Sequence, residues 1–257
     1  MQRLYFFITM HIFYQPDLIQ NEIFLDEEES KHCVRVLRMK TNDEVELIDG
    51  KGTSAIAKIT DDNPKRCLLN ITDRKSHILN RIYKLHIAVA PTKNFDRMEW
   101  FIEKAVEVGI DEISFIECKN SERVKVNMQR CEKVAISAMK QSKQFWLPKL
   151  NDISPLTPKG GIIERLSSEE IKLIAWCETD VKHTLHQQII ISTVISSEVE
   201  KQRITILIGP EGDFTKEEID FAIKNNFKTV SFGENRLRTE TAALYACMAI
   251  NILSSHE

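Results

Sequence analysis

Leu85-His86-Ile87-Ala88-Val89-Ala90-Pro91 is followed closely by the stretch from Asn94 to Val108, and then by Gly109. The first run is short, almost wholly apolar and stopped by a proline, as a strand buried on both faces is. In the second, Met98, Phe101, Ile102 and Ala105 share one face at helical spacing, and Gly109 stands where a C-cap glycine belongs. Glu112 to Glu117 reads as the next strand. A strand, a helix and a second strand in this order form the repeating unit of a parallel sheet. The rhythm continues to the C-terminus. A long helix is expected over about Asn127 to Lys143, a strand over Ile171 to Trp176, a helix near His183 to Glu200 and a strand over Ile204 to Ile208. Thr215-Lys216-Glu217-Glu218 is a capping box that opens a helix to Asn225. Thr229 to Phe232 and a last helix from Thr239 to Leu253 follow. Residues 152–170, with Pro155, Pro158, Gly160 and Gly161, break the rhythm and read as a loop insertion with a short helix. The fold class is α/β, with a parallel sheet in the C-terminal part.

Upstream the pattern differs. Glu22 to Leu25, Asp43 to Ile48 (ending at Asp49-Gly50), Ser54 to Ile59 and Arg66 to Thr72 read as short strands, and Glu27 to Arg38 has helical spacing. This predicts a small β-barrel with one helix over the first 75 or so residues, joined to the rest by a polar, basic link. The chain has 257 residues and a net charge of −3, so any affinity for a polyanion must come from a local patch. The six cysteines form no C-x-x-C pair, which argues against zinc and, in a chain able to bury a core, against a disulfide framework. The expected setting is the reducing cytoplasm, without a membrane span. Leu4 to Phe13 imitates a signal segment, but it holds His11 and lacks a cleavage site. Met10 is read as the biological start and residues 1–9 as an upstream extension.

In an open parallel sheet, ligands bind beyond the carboxyl ends of the strands. Three segments occupy such places: Trp176-Cys177-Glu178, Ile208-Gly209-Pro210-Glu211-Gly212-Asp213, and Phe232-Gly233 through Arg236-Leu237-Arg238-Thr239-Glu240. With only 8 glycines in the chain, three of them (Gly209, Gly212, Gly233) in two of these turns suggests close backbone approach to a ligand. On glycine alone, ordinary tight turns are the favoured account. The dinucleotide, P-loop and nucleophile-elbow signatures are absent.

Leu207-Ile208-Gly209-Pro210-Glu211-Gly212, followed by Gly233 and Leu237-Arg238-Thr239-Glu240-Thr241-Ala242, resembles the RsmE family of the SPOUT superfamily. Those are bacterial methyltransferases acting on N3 of one uridine of 16S rRNA. His32-x-x-x-Val36-Leu37-Arg38, Lys93, Glu103-Lys104-Ala105-x-Glu107-x-Gly109, Ser121-Glu122-Arg123 and Ala138-x-x-Gln141-Ser142 extend the likeness over about residues 10–253. The resemblance implies a PUA-like RNA-binding domain over 10–75, a linker over 76–84 and a SPOUT domain with a trefoil knot over 85–257. It also implies a homodimer, S-adenosylmethionine as cofactor, and 16S rRNA or the small ribosomal subunit as partner. The cofactor residues would be Cys177, Glu178, Ile208, Gly209, Pro210, Glu211, Gly212, Phe232, Gly233, Leu237 and Arg238. RNA would be met by His32, Arg35, Arg38, Lys93, Arg123 and Arg236. Three departures stand out: Asp213 where a second glycine is common, an arginine displaced to Arg236, and Lys140 and Gln144 in an altered helix motif.

Uracil N3 is a weakly acidic imide and becomes nucleophilic as its proton leaves. The chemistry therefore needs a proton acceptor and a donor aimed at the carbonyls. Arg238 suits the second role through its planar fork, although a structural pairing with Glu240 is as good a reading. Glu240, Asp213 or a water are the candidate acceptors, and for Glu240 a capping place in the first turn of the last helix is the better reading. Residues 119–149 hold eight basic residues against two acidic ones, and Lys31, Arg35, Arg38 and Lys40 form a second basic group; both are read as RNA-facing. His183 and His186 lack a third ligand, so no metal is expected. A SPOUT enzyme acting on ribose 2′-O, or a catalytically silent RNA-binding assembly factor, remain the alternatives.

Overall fold

The computed structural model describes residues 10–79, 81, 83–156, 161–167, 170–177, 183–189 and 202–254. Two compact units emerge: residues up to Leu79 together with Met139–Leu147, and Asn80–Ala138 together with Pro148 onwards. The expectation for residues 1–9 lies outside the described residues.

The first unit is built on a five-stranded sheet in the order β1-β3-β4-β5-β2, with β1 Ile12–Tyr14, β2 Glu22–Phe24, β3 Glu44–Ile48, β4 Thr53–Asp61 and β5 Leu68–Ser76. β1 runs parallel to β3, and the remaining pairs are antiparallel. The alternation in β3 sends Val45 and Leu47 inward to meet Phe13, Ile23, Ile59 and Leu69 in one core. Phe13 is fully buried, so the run that imitates a signal segment ends as core of this unit. Helix α1, Glu27–Lys31, is capped by Asp26, whose carboxylate accepts the Glu29 N–H at 2.7 Å. The expected helix to Arg38 does not stay α: His32–Val36 is a π-turn, and Arg38 closes it at φ 58.

The β3–β4 turn is tightly built. Asp49 Oδ1 accepts the N–H groups of Lys51 and Thr53, and Gly50 and Gly52 take φ values of 70° and 96°. Residues 144–147 run beside it, with an isolated antiparallel bridge between Lys51 and Trp146. The Gly52 N–H donates to Phe145 O and the Leu147 N–H to Gly50 O, both at 2.9 Å. A Cβ on Gly52 would lie 2.3 Å from the Trp146 ring, so only glycine fits there.

The second unit holds a six-stranded sheet in the order β11-β9-β10-β6-β7-β8, parallel throughout. Its strands are β6 Tyr83–Val89, β7 Glu112–Glu117, β8 Lys149–Pro155, β9 Ile171–Ala175, β10 Gln202–Ile208 and β11 Lys228–Val230. The helices are α2 Asp96–Val108, α3 Met128–Ser142 (whose last residues belong to the first unit), α4 Lys216–Lys224 and α5 Thr239–Ser254. Gly109 ends α2 in the left-handed conformation, and the Thr215–Glu218 capping box opens α4, both as the sequence implies. Ile219 and Ala222 of α4 pack on Ala88, Ile174 and Leu207 of the sheet. Burying each such aliphatic side chain contributes about 1.5–3 kcal/mol. α5 pairs with α2 and lies along β6 and β10.

Two expectations need correction. Residues 152–155 are not loop: Lys149–Pro155 is an edge strand paired with β7, and Pro155 ends it. Its polar residues fit a strand with one neighbour and an open edge. The polar link is also shorter than 76–84, because β5 runs through Ser76 and β6 starts at Tyr83. Most of the helix expected near His183 to Glu200 lies outside the described residues.

Candidate active site

β11, β9 and β10 are neighbours in the sheet, and the three turns leaving their carboxyl ends enclose one cavity of about 620 Å3. That volume suits a small-molecule or cofactor site, which typically spans about 300–1,000 Å3. Of the residues singled out from sequence, Cys177, Ile208, Gly209, Pro210, Glu211, Phe232, Gly233, Leu237, Arg238 and Arg236 line it. Gly212 stands behind the wall, and Glu178 lies outside the described residues. Trp176 and Thr239, which the sequence placed in the strand-end segments without a role of their own, also line the cavity.

Each turn has an identifiable support. The Trp176 N–H donates to Val230 O at 3.1 Å, which fixes the end of β9 against β11. Beside the Trp176 indole, the Lys216 ammonium sits 5.0 Å from the ring centre. The Thr239 hydroxyl donates to Gly209 O at 3.0 Å and so ties the last turn to the middle one. Gly233 has φ 112, and a Cβ there would meet nothing within 4 Å, so its open side faces space rather than protein. Gly209 and Gly212 are not in the left-handed region; they serve close approach instead. A Cβ on Gly209 would come within 3.1 Å of the Phe214 ring, and one on Gly212 within 3.1 Å of Asn120 Cβ. The left-handed residue of this turn is Asp213, at φ 62.

A second layer holds the middle turn from behind. The Asn120 amide donates to Gly212 O at 3.1 Å and to Asp213 O at 3.0 Å. The Lys93 N–H donates to Glu211 Oε1 at 3.1 Å. Arg123 in turn donates to Thr92 O at 3.2 Å and Lys93 O at 2.8 Å, with its guanidinium over the Phe95 ring. Arg123 thus braces the loop that grips Glu211, and its fork is committed to backbone carbonyls. The Lys93 ammonium is exposed and pairs with Glu122 at 2.9 Å.

The charged residues divide clearly. Arg236 and Arg238 are exposed at the cavity, and no ion pair holds either among the described residues. The expected pairing of Arg238 with Glu240 is not formed. Glu240 is buried at 6% exposure, does not line the cavity, and faces Arg97 Nε at 3.8 Å, with its Oε2 unpartnered. Partial burial, and then the nearby Asp213 carboxylate, push the Cys177 thiol up, while Arg236 pulls it down. Cys177 is thus a neutral wall residue at pH 7, with little thiolate to act as a nucleophile.

His32, Arg35 and Arg38 are all exposed on the first unit. Several of the eight basic residues in 119–149 have internal partners: Arg130 pairs with Glu99, Lys140 with Glu29, and Lys149 with Glu112. Lys119 and Lys125 are exposed. Composition had counted all eight as one patch. Among the described residues no group of three His, Cys, Asp or Glu side chains is placed to hold a metal ion, and no helix is long and apolar enough to cross a membrane.

Comparison with known proteins agrees with this geometry. The RNA methyltransferase domain family matches residues 80–251, and the RNA methyltransferase PUA domain family matches residues 25–72. The ribosomal RNA small subunit methyltransferase E of Rickettsia conorii is 30% identical over 251 residues, which is 95% of this chain and 96% of that protein. The crystal structure of a probable rRNA-methyltransferase from Porphyromonas gingivalis superposes with a TM-score of 0.82 at 36% identity, covering 96% of this chain and 99% of that one. A ribosomal RNA small subunit methyltransferase E from Neisseria gonorrhoeae bound to S-adenosyl methionine gives a TM-score of 0.80 at 25% identity, covering 95% and 98%. By its two matched domains and its full-length likeness, the chain belongs to the ribosomal RNA small subunit methyltransferase E family.

Proposed function

We propose that this protein transfers a methyl group from S-adenosylmethionine to N3 of one uridine in the 16S rRNA of the small ribosomal subunit. The single observation that carries the reading is the cavity built from the ends of β9, β10 and β11, in a chain whose family is that of rRNA methyltransferases. The residues present fit the cofactor. Gly233 leaves an opening a side chain would fill, and Gly209 brings its backbone to the wall. Main-chain groups of Ile208 to Glu211 and of Phe232 to Leu237 would hold it, beside Cys177. S-adenosylmethionine supplies an electrophilic methyl group on a sulfonium.

The chain's own part is positioning and charge stabilisation. Arg238, exposed at the cavity and free of an ion pair among the described residues, donates to the uracil carbonyls as negative charge spreads over them. Burial of Glu240 in the first turn of α5, facing Arg97 and away from the cavity lining, supports a structural role for it and leaves Asp213 or a water as proton acceptor. His32, Arg35 and Arg38 present cations and a ring to RNA from the PUA-like unit. Lys93 and Arg236 add charge near the cavity, while Arg123 acts from behind by ordering the Lys93 loop. The target base must be caught unpaired, because N3 lies on its pairing edge.

The proposal extends to the trefoil knot, the cytoplasm and a homodimer. For the last, Trp100 of α2 and Tyr245, Met248 and Ile252 of α5 expose 44–57% of their surface on two helices that pack together. The test is incubation of purified protein with S-adenosylmethionine and small subunits lacking the modification, followed by nucleoside analysis. N3-methyluridine is the expected product; a 2′-O-methylated nucleoside, or none, would overturn the reading.

A further inference from the structure

The one left-handed position of the middle turn is held by an aspartate rather than a glycine. Asp213 adopts φ 62, a conformation most non-glycine residues avoid and one a glycine would take freely. The surrounding structure holds it there. The Asn120 amide donates to the carbonyls on both sides of the Gly212–Asp213 step, and the Asp213 N–H closes the turn on Pro210 O at 2.9 Å. Asp213 Oδ1 also accepts the Phe214 N–H at 2.8 Å, so a one-methylene side chain is fixed at the cavity wall. A strained residue kept in place by its neighbours is a reason to look for a role.

Two other carboxylates line the cavity, and neither is held in this way. Glu211 Oε1 is engaged from behind by the Lys93 N–H, and Glu234 is an exposed residue on a longer stem. Two guanidiniums, Arg236 and Arg238, share the wall. Asp213 and Arg236 both line the wall that holds Cys177.

From this we infer that Asp213 is a specificity-determining residue: its fixed carboxylate makes the cavity prefer the cationic methyl donor over the spent product. The inference rests on the proposed function. The chemistry is direct. S-adenosylmethionine carries a sulfonium charge, and S-adenosylhomocysteine, otherwise nearly the same molecule, carries a neutral thioether. A negative charge on the wall attracts the first more than the second, which favours loading and eases product departure. Arg238 remains available to the nucleobase, because the donor's charge is met by a different group.

The experiment is calorimetric titration of the whole protein with each of the two ligands, for the wild type, Asp213→Asn and Asp213→Gly. Asparagine tolerates positive φ and can still accept the Phe214 N–H, so the first variant removes charge and little else. Glycine removes the side chain and relieves the strain, which guards against a folding defect in the first variant. At the partial exposure of this site we expect S-adenosylmethionine to bind about five- to tenfold more weakly in both variants, with S-adenosylhomocysteine changed by less than about twofold. Equal weakening of both ligands would make Asp213 a structural residue and overturn the inference, as would unchanged affinity for both. A wild type that binds neither ligand would instead overturn the proposed function.

Discussion

Replacing Gly233 with alanine separates strain in the site from strain in the core. Gly233 has φ 112, and the added Cβ would meet no protein atom within 4 Å, so the change introduces no clash. It does introduce a backbone conflict, since positive φ costs an L-residue roughly 1–2 kcal/mol. Gly233 to Arg236 are exposed, so the free protein can relax this turn while Ser231 and Thr239 keep their anchors on either side. The ligand then has to restore the strained form at its own expense. At 1.4 kcal/mol per tenfold, that weakens binding about 5- to 30-fold. Thermal stability should change little. Gly209→Ala should behave oppositely, because its Cβ presses within 3.1 Å of the buried Phe214 ring. Overpacking there should destabilise the fold by about 1–3 kcal/mol. Calorimetry with S-adenosylhomocysteine and thermal melting read the two effects independently. A Gly233→Ala protein with wild-type affinity would refute the reasoning, since the observed turn would then not be the ligand-bound one.

Three further outcomes are expected. Gly52→Ala combines φ 96 with a Cβ 2.3 Å from the Trp146 ring, and should destabilise the first unit by roughly 2–4 kcal/mol in urea denaturation; a loss below about 0.5 kcal/mol would contradict the docking of residues 144–147. Burial between Thr205 and Ser114 pushes the His86 imidazole down to about 4 from 6.5. The unfolded chain therefore takes up a proton that the folded one refuses, so stability is full above pH 6.5 and falls by up to about 3 kcal/mol as pH drops towards 4. His86→Gln should flatten that slope in urea midpoints measured across the window, and an unchanged slope would remove His86 as its cause. Arg238→Ala should lower methylation at least about 100-fold with S-adenosylhomocysteine affinity nearly intact, as for loss of a charge-stabilising donor; wild-type turnover would take Arg238 out of the mechanism.

The parallel sheet was legible because its strands are buried on both faces and its helices carry unambiguous ends. Gly109 and the Thr215–Glu218 box each took the conformation their residue types favour. Lys149–Pro155 was not legible, because an edge strand need not be apolar and this one mixes lysine, asparagine and aspartate. The π-turn at His32–Val36 has the same residue spacing as a helix and left no trace in the pattern. Side-chain commitments were hidden for another reason. Arg123 stands in a basic run and reads as RNA-facing, yet its guanidinium is occupied by two carbonyls and a ring. Glu240 follows Arg238 by two residues, but the start of α5 turns it inward to Arg97. Asp213 shows that a departure from the family's residue need not be a departure in backbone: aspartate occupies the left-handed position open to a glycine, and adds a charge.

The account depends on the turns after β9, β10 and β11 gripping one methyl donor between them. A crystal structure of the protein saturated with S-adenosylhomocysteine tests this most directly. The ligand should lie between Ile208–Asp213 and Phe232–Arg238, against Cys177 and beside the open face of Gly233. Ligand bound elsewhere, or these turns unoccupied at saturation, would contradict it.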